Sequence, residues 1–203
     1  EYDRSFLHLH PDTALISSMD ADHLDIYETG QSMVDAFNRF ANNIKSGGCL
    51  ILKSDLLPRM HFAGKIYTYN LNSPANDFYA SDIVIKEERY QFNIHTPTGI
   101  IENISFQTGG LHNVENAVAA TALAWVQQLP FEWIKHNLSE YKGVKRRFEY
   151  IIRRDDLIYI DDYAHHPNEL KAAIQSAKLL HPTRKICGIF QPHLYTRTRD
   201  FAD

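Results

Sequence analysis

The chain has 203 residues, of which 44% are apolar and 23% are charged. This balance is typical of a globular protein and excludes disordered and collagen-like chains. No run approaches the ~20 apolar residues that a membrane helix needs, and no signal-peptide pattern is present. Cys49 and Cys187 lie far apart in predicted strands. This placement suits buried, reduced thiols of a cytosolic protein better than a disulfide framework. We therefore expect a soluble, cytoplasmic chain without membrane contact.

The net charge of −4 is unevenly divided, because residues 1–142 carry −7 and residues 143–203 carry +3. The basic residues of the second part are too few and too dispersed for a nucleic-acid-binding surface. They favour a small anionic ligand such as a nucleotide, and no nucleic-acid partner is expected.

The first elements predict a mainly parallel sheet with flanking helices. Residues 13–19 are a short β-prone run, residues 31–45 carry a helical apolar stripe ended by Gly47, and residues 49–53 are a buried strand. A parallel strand pair needs a crossover of about the length of this helix. The order strand, helix, strand therefore favours parallel pairing.

The middle of the chain predicts an antiparallel β insertion and two helices. Four β-rich runs are separated by Asn, Pro and Gly turn signals, at 65–69, 82–87, 90–96 and 100–106. The Ala-rich segment 113–128 predicts a buried helix, and Pro130 opens another.

Gly143 marks the predicted boundary to a second domain. Beyond it the pattern predicts strands at 148–152 and 157–160, a helix at 167–180 and a strand at 186–190. The predicted fold class is α/β: a mainly parallel sheet with flanking helices and an antiparallel β insertion, followed by the beginning of a second Rossmann-like α/β domain.

Polar residues follow several predicted strands, at the edge where open α/β sheets bind ligands. Asp20, Asp22, His23 and Asp25 follow the first strand. An imidazole beside carboxylates can bind a divalent ion directly or through water, but the same residues can cap a helix. Both interpretations remain open for this cluster.

A second cluster lies near the start of the helix predicted at 113–128. Asn113 and Asn116 are about one helical turn apart and follow Gly109 and Gly110. Capping accounts for Asn113 but not for Asn116. Two asparagines at a helix start can instead bind a purine edge or a phosphate.

Two further clusters flank the predicted boundary. Lys145, Arg146 and Arg147 are either a solvated linker or the place where an arginine clamps a phosphate between two domains.

Two successive strands then end in polar residues, which implies one cleft. These residues are Asp161, Asp162, His165, His166, His193 and Arg197.

Two alternatives use the same residues differently. His8 and His10 share one face of a possible strand, so they could belong to a metal-dependent hydrolase. Its other ligands would be Asp20, Asp22, His23, Asp162, His165 and His166. Tightly bound zinc or manganese without ATP dependence would favour this alternative. The other alternative is a structural fragment that folds but catalyses nothing.

Six runs in order along the chain resemble motifs of the Mur ligase family. They are FLHLHP at 6–11, DADHLD at 20–25, HNVENA at 112–117, GVKRRFE at 143–149, DDYAHHP at 161–167 and FQPHLYTRTRDF at 190–201. Each is weak alone, but six ordered runs over nearly the whole chain are specific. The resemblance implies an amide-forming ligase of peptidoglycan biosynthesis that uses ATP and Mg²⁺.

FLHLHP, DDYAHHPNE and FQPH favour the member of the family that acts on L-alanine over another Mur-type amino-acid ligase. The implied substrates are UDP-N-acetylmuramate and L-alanine, which are joined through an acyl phosphate. In this resemblance residues 1–145 are the later part of the central ATP-binding domain, and residues 146–203 are the truncated start of the C-terminal domain. The chain contains no Gly-x-x-x-x-Gly-Lys-Ser/Thr run, which is the family's P-loop. We expect the isolated chain to be inactive.

The resemblance also implies roles for single residues. His23 is similar to the Mg²⁺-associated catalytic histidine, Asn113 and Asn116 to the asparagines at ATP, and Arg147 to the catalytic hinge arginine at the phosphates. The first acidic Mg²⁺ ligand of the family would precede residue 1, since Glu1-Tyr2-Asp3 is similar to the end of the family's E-A-x-E-x-D run.

In the C-terminal part, Asp162 is similar to a catalytic aspartate of the family. Residues that resemble those lining the substrate side are His165, His193 and Arg197. Family members often have Arg where this chain has Leu194 and Gly where it has Ala164.

Overall fold

The first part of the protein is a three-stranded parallel sheet. The structure is a computed structural model that describes residues 3–19, 27, 29–165 and 167–191. Strands β1 (Thr13–Ile16), β2 (Cys49–Lys53) and β3 (Lys65–Tyr69) pair in the order β1-β2-β3, with Leu15 opposite Ile51 and Ile51 opposite Tyr67. The central strand β2 is buried over four of its five residues, as the apolar run CLILK predicts for a parallel strand.

Helix α1 (Gly30–Asn42) is the crossover between β1 and β2. The Thr29 side chain caps it by accepting a hydrogen bond from Ser32 N at 3.2 Å. Its apolar stripe, including Met33, Val34 and Ala41, is buried. The turn into β2 runs through Gly47, whose φ of +83° is readily adopted by glycine. The predicted helix and the parallel pairing across it are therefore confirmed.

The prediction for residues 65–69 was wrong in one respect, since β3 belongs to the parallel sheet. A 3-10 helix at Ser54–Arg59 lengthens the connection from β2 to β3 enough to form a crossover. The antiparallel sheet contains β4 (Tyr79–Lys86), β5 (Arg89–Thr96) and β6 (Gly99–Phe106), in that order.

Helices α2 (Leu111–Val126) and α3 (Phe131–Glu140) pack against the antiparallel sheet. Val114, Val118 and Ala122 of α2 are completely buried in the largest apolar core, together with Phe92 and Ile104 of the sheet. Pro130 stands at the N-cap of α3, as predicted. This core fixes the start of α2 relative to both sheets.

Beyond Gly143, β7 (Glu149–Arg153) and β8 (Ile158–Asp161) form an antiparallel pair, and α4 (Pro167–Leu180) follows. The strand predicted at 186–190 is not formed. Among the described residues this segment has no strand partner, and Ile189 is 98% exposed. Cys187 is accordingly exposed and outside any strand, whereas Cys49 is buried in β2.

The predicted fold class is confirmed as mixed α/β, with a parallel sheet, an antiparallel sheet and packed helices. In the described part of the chain, no helix is both long and apolar enough to cross a membrane.

Candidate functional site

The candidate site is built around the N-terminus of α2. Gly110 precedes the helix with a φ of +94°, where only glycine is free of strain. A Cβ on Gly110 would lie 2.4 Å from His112 Cε1 and 2.9 Å from Ser176 Oγ of α4. The helix start is thus in close contact with the C-terminal part of the protein, and a side chain at Gly110 would separate them.

The two asparagines of the site differ in their contacts. Asn113 Nδ2 donates a hydrogen bond to the Gly109 carbonyl oxygen at 2.6 Å, so half of this amide stabilises the turn into α2. Asn116 is exposed, and its amide makes no hydrogen bond with another described residue. Asn113 Oδ1 and the whole Asn116 amide therefore retain the capacity to bind a ligand.

A lysine at the end of β2 also belongs to this site. Lys53 Nζ lies 2.9 Å from Glu115 Oε2, and the two side chains are only 27% and 20% exposed. Burial, and secondarily the negative charge of Glu115, raise the pKa of Tyr69 on β3. Lys53 was not among the predicted site residues, although a lysine that ends an otherwise apolar, buried strand was the available signal.

Asp162, predicted to be catalytic, holds two backbone segments together. Its Oδ2 accepts a hydrogen bond from Phe148 N at 2.8 Å, and its Oδ1 accepts one from Ala164 N at 2.7 Å. The carboxylate thus joins the hinge loop at 144–148 to the loop before α4. Because the second donor is a backbone N–H, Ala164 supplies it as well as glycine would.

The hinge arginines have different environments. Arg146 lies over the Tyr163 ring, 4.9 Å from its centroid, and its Nε is 3.7 Å from Asp161 Oδ2. Arg147 is exposed, and its guanidinium forms no ion pair or hydrogen bond with a described residue. Of these two arginines, Arg147 is therefore the cation available to an anionic ligand.

Phe148 anchors the hinge loop to the turn before α2. It is buried, and a Cβ on Gly109 would lie 2.1 Å from its ring, so the ring occupies the space that a side chain at Gly109 would need. Because Phe148 directly follows Arg147 in the sequence, this contact also keeps Arg147 near the start of α2.

His112, at the start of α2, is surrounded by charged groups from several segments. Desolvation by surrounding groups lowers the pKa of His112, although part of the residue faces solvent. Asp162 raises this pKa, Arg147 lowers it and Glu115 raises it. Phe148, whose N–H donates to Asp162 and whose ring lies against Gly109, places Arg147 and Asp162 near the start of α2.

His165 lies at the margin of this arrangement. Its backbone N donates to Glu169 Oε2 at 3.1 Å, and its Nδ1 is 2.9 Å from the Tyr163 carbonyl oxygen. The predicted roles of His23, His193 and Arg197 fall on residues outside the described part of the chain. Their positions at the site therefore remain predictions.

The ligand set of the metal-dependent hydrolase does not form in the described ranges. No three His, Cys, Asp or Glu residues within them are placed to hold a metal ion. His8 ends a 3-10 helix, Ser5–His8, and not a strand, so the face predicted for His8 and His10 does not exist. Asp20, Asp22, His23 and His166 lie outside the described residues.

The fold and site define a mixed α/β protein in which an exposed arginine lies near a helix N-terminus, at the junction of the two sheets with the C-terminal part. The chain belongs to the Mur ligase family. The model for the Mur ligase middle domain matches residues 3–124, and the model for the Mur ligase glutamate ligase domain matches residues 146–203.

Relatives with curated names point to one member of that family. The chain is 43% identical over 203 residues to UDP-N-acetylmuramate–L-alanine ligase of Porphyromonas gingivalis, covering 99% of this chain and 44% of the relative. It is 42% identical over 204 residues to the enzyme of the same name from Flavobacterium johnsoniae, covering 100% of this chain and 44% of the relative. The chain thus spans less than half the length of these relatives.

A solved structure has the same fold. UDP-N-acetylmuramate–alanine ligase of Thermotoga maritima superposes with a TM-score of 0.79 at 23% identity, over 94% of this chain and 43% of the solved chain. At this identity the likeness shows the fold alone.

Proposed function

We propose that the full-length protein containing this chain is an ATP-dependent ligase that joins L-alanine to UDP-N-acetylmuramate in the cytoplasm. The observation that carries this proposal is Arg147, an exposed arginine without an ionic partner among the described residues, anchored beside the start of α2. A guanidinium near a helix N-terminus is suited to phosphate groups, because it is always charged and can donate two parallel hydrogen bonds. The names of the relatives support the choice of substrates.

The residue types suit the two steps of such a reaction. A carboxylate resists attack by an amine until one of its oxygens becomes a good leaving group. In the first step, a carboxylate oxygen of the sugar substrate attacks the γ-phosphorus of ATP, and ADP leaves. In the second, the alanine amine attacks the acyl carbon, phosphate leaves with the bonding electrons, and the amine loses a proton. Negative charge develops on phosphoryl and acyl oxygens, which Arg147 and Mg²⁺ would stabilise.

We assign Asn113 and Asn116 to ATP and Arg147 to its phosphates. Asn113 Oδ1 and the Asn116 amide are compatible with this role, because the fold does not use them in the described part of the chain. His23 is assigned to Mg²⁺, and His165, His193 and Arg197 to the substrate side. For Asp162 we propose a positioning role, since both of its oxygens accept backbone hydrogen bonds.

The same proposal includes the domain division. We assign residues 1–145 to the later part of the central ATP-binding domain and residues 146–203 to the start of the C-terminal domain. The gap between the two family-model matches, from 124 to 146, contains α3 and the first residues of the hinge loop and supports this boundary.

The test is a phosphate-release assay on the full-length protein with ATP, UDP-N-acetylmuramate and single amino acids. We expect release with L-alanine, whereas release that requires another amino acid would favour a different Mur-type ligase. Arg147→Lys keeps the charge but loses the two parallel N–H donors of the guanidinium, so turnover should fall roughly 10- to 100-fold. Arg154→Lys is the matched control, because Arg154 is an exposed arginine paired with Asp156 on the β7–β8 turn. Equal turnover in both variants would contradict the role of Arg147.

A further inference from the structure

A polar cluster joins the antiparallel sheet to the C-terminal part of the protein. Glu88, in the turn between β4 and β5, accepts hydrogen bonds at Oε2 from Arg153 Nε at 3.2 Å and Arg153 Nη2 at 2.5 Å. Its other oxygen, Oε1, lies 3.1 Å from His181 Nδ1. We call Glu88, Arg153, His181 and Tyr150 the Glu88 cluster.

The partners of Glu88 are themselves oriented. His181 Nε2 lies 3.1 Å from the Tyr150 hydroxyl, so a neutral His181 that donates from Nδ1 to Glu88 accepts the Tyr150 O–H at Nε2. The Arg153 guanidinium lies 4.9 Å from the Tyr150 ring centroid. His181 is buried, and it therefore depends on these two bonds for its polar atoms.

The turn that carries Glu88 adopts an unusual backbone conformation. Glu87 and Glu88 have φ values of +50° and +58°, which the two-residue hairpin favours but which non-glycine residues rarely adopt. Glycine or asparagine would fit this turn better. The glutamate at position 88 thus occupies a backbone conformation that does not favour it, and its carboxylate makes the contacts described above. The hydrogen bond from Arg153 is also the main cause that lowers the pKa of Glu88.

We propose that Glu88 is a positioning residue that fixes residues 146–191 on the antiparallel sheet and thereby holds Arg147 beside the start of α2. The role of Arg147 in this proposal rests on the proposed function. The attachment of residues 146–191 to the antiparallel sheet does not.

The geometry of the junction explains why this contact matters. Between the Glu88 cluster and the anchor at Phe148 lies a cleft of about 220 Å³, lined by Gln107, Thr108, Lys142, Phe148, Glu149, Tyr150 and Arg153. The two parts therefore touch at two places: Phe148 and Ser176 contact the turn into α2, and the Glu88 cluster joins the β4–β5 turn. Both places lie at the same end of the antiparallel sheet, because Tyr90 of β5 pairs with Phe106 at the end of β6. A single contact would allow rotation about itself, whereas two contacts define an orientation.

The first test measures that orientation by electron–electron spin distances in the 203-residue chain. Spin labels are placed at Glu102→Cys on β6 and Gln175→Cys on α4, both exposed, with the exposed Cys187 replaced by serine. Glu88→Gln should broaden the distance distribution and shift it to longer distances. Glu87→Gln, its exposed neighbour in the same turn, should leave the distribution unchanged. An unchanged distribution in Glu88→Gln, with the far-ultraviolet circular dichroism of the parent, overturns the proposal.

Arg153→Gln provides a second route to the same contact. If Glu88 acts through Arg153, the double variant should show no greater broadening than either single variant. Additive broadening would mean that the residues act independently, and it too overturns the proposal.

The second test uses turnover in the full-length protein. Glu88→Gln should lower kcat about tenfold with little change in the KM for L-alanine, because it misplaces Arg147 without removing a substrate contact. Broadened distances with normal turnover would retain Glu88 as a structural contact but overturn its role in placing Arg147. Absence of ligase activity in the unmodified full-length protein would count against the proposed function, and the spin distances would still decide the structural part.

Discussion

Lys53 Nζ lies 2.9 Å from Glu115 Oε2, and this ion pair ties the end of β2 to the second turn of α2. Both side chains are largely shielded, so their interaction should be stronger than that of an ordinary surface pair. We expect Lys53→Met and Glu115→Gln to show a coupling of about 1 kcal/mol in a double-mutant cycle followed by urea unfolding. The exposed pair Lys45 and Asp12 is the control, and its coupling should be smaller. Equal coupling in the two cycles would contradict the prediction.

Asp162→Asn should destabilise the junction between the hinge loop and the loop before α4. Asparagine keeps one acceptor oxygen, but its amide nitrogen would face a backbone N–H that is then left without an acceptor. The lost hydrogen bond to a charged group should cost about 2 kcal/mol in the free energy of unfolding, measured in urea. Asp155→Asn, on an exposed turn residue, should change it little. An Asp162→Asn variant as stable as this control would rule out the positioning role.

The pKa of His112 reports on the assembly of the site. Desolvation lowers this pKa, with Asp162 opposing and Arg147 reinforcing the effect. Nuclear magnetic resonance titration should therefore show a higher His112 pKa in Arg147→Gln and a lower one in Asp162→Asn. Arg154→Gln, which removes an arginine of the β7–β8 turn, should leave it unchanged. No response to Arg147→Gln would mean that Arg147 lies away from the start of α2.

The same lowered pKa predicts a pH dependence of stability. The unfolded chain binds a proton at His112 more readily than the folded chain, so the contribution is present above the unfolded pKa of about 6.5 and is lost as pH falls through the folded pKa. We expect His112→Gln to flatten the fall in the free energy of unfolding below pH 6.5, measured by urea unfolding at stepped pH. A parallel fall in both proteins would contradict this.

The sequence predicted those parts of the fold that depend on local pattern. Neighbouring residues alone determine these patterns. Examples are the apolar stripe of α1, the apolar run of β2 and Pro130 at the start of α3. Whether a segment pairs, and with which strand, depends instead on the strand that lies alongside it. The pattern of apolar and polar residues within a segment does not contain that information, so it predicted neither the parallel pairing of β3 nor the absence of a strand at 186–190.

The candidate site shows the same division. Asn113, Arg147 and Asp162 were predicted from short motifs, and their roles remain predictions; the structure adds that Phe148 connects Asp162 to the turn before α2. Lys53 and Glu88 were missed because each acts through a partner 62 or 65 residues away in sequence, Glu115 and Arg153 respectively. Such pairs become visible only when packing has placed the two elements side by side.

His23 lies outside the described residues, so its assignment is tested by function. In the full-length protein, His23→Ala should lower the ligase rate more at low than at saturating Mg²⁺, because the histidine is predicted to organise the ion among neighbouring carboxylates. Steady-state rates over a Mg²⁺ series measure the difference. The same Mg²⁺ dependence in the variant and the unmodified protein would remove His23 from the metal site.

The 203-residue chain itself should bind nucleotide weakly and show no ligase activity. It contains the predicted contacts of Asn113, Asn116 and Arg147 but no Gly-x-x-x-x-Gly-Lys-Ser/Thr run to hold the β- and γ-phosphates. Phosphate contacts supply most of the charge-assisted binding of a nucleotide, so the remaining contacts should favour its adenosine end. Isothermal titration should therefore find ATP and adenosine nearly equivalent, and both weak. Micromolar, Mg²⁺-dependent preference for ATP would mean that these residues form a phosphate site without the P-loop, and Arg147→Gln would then show whether Arg147 carries it.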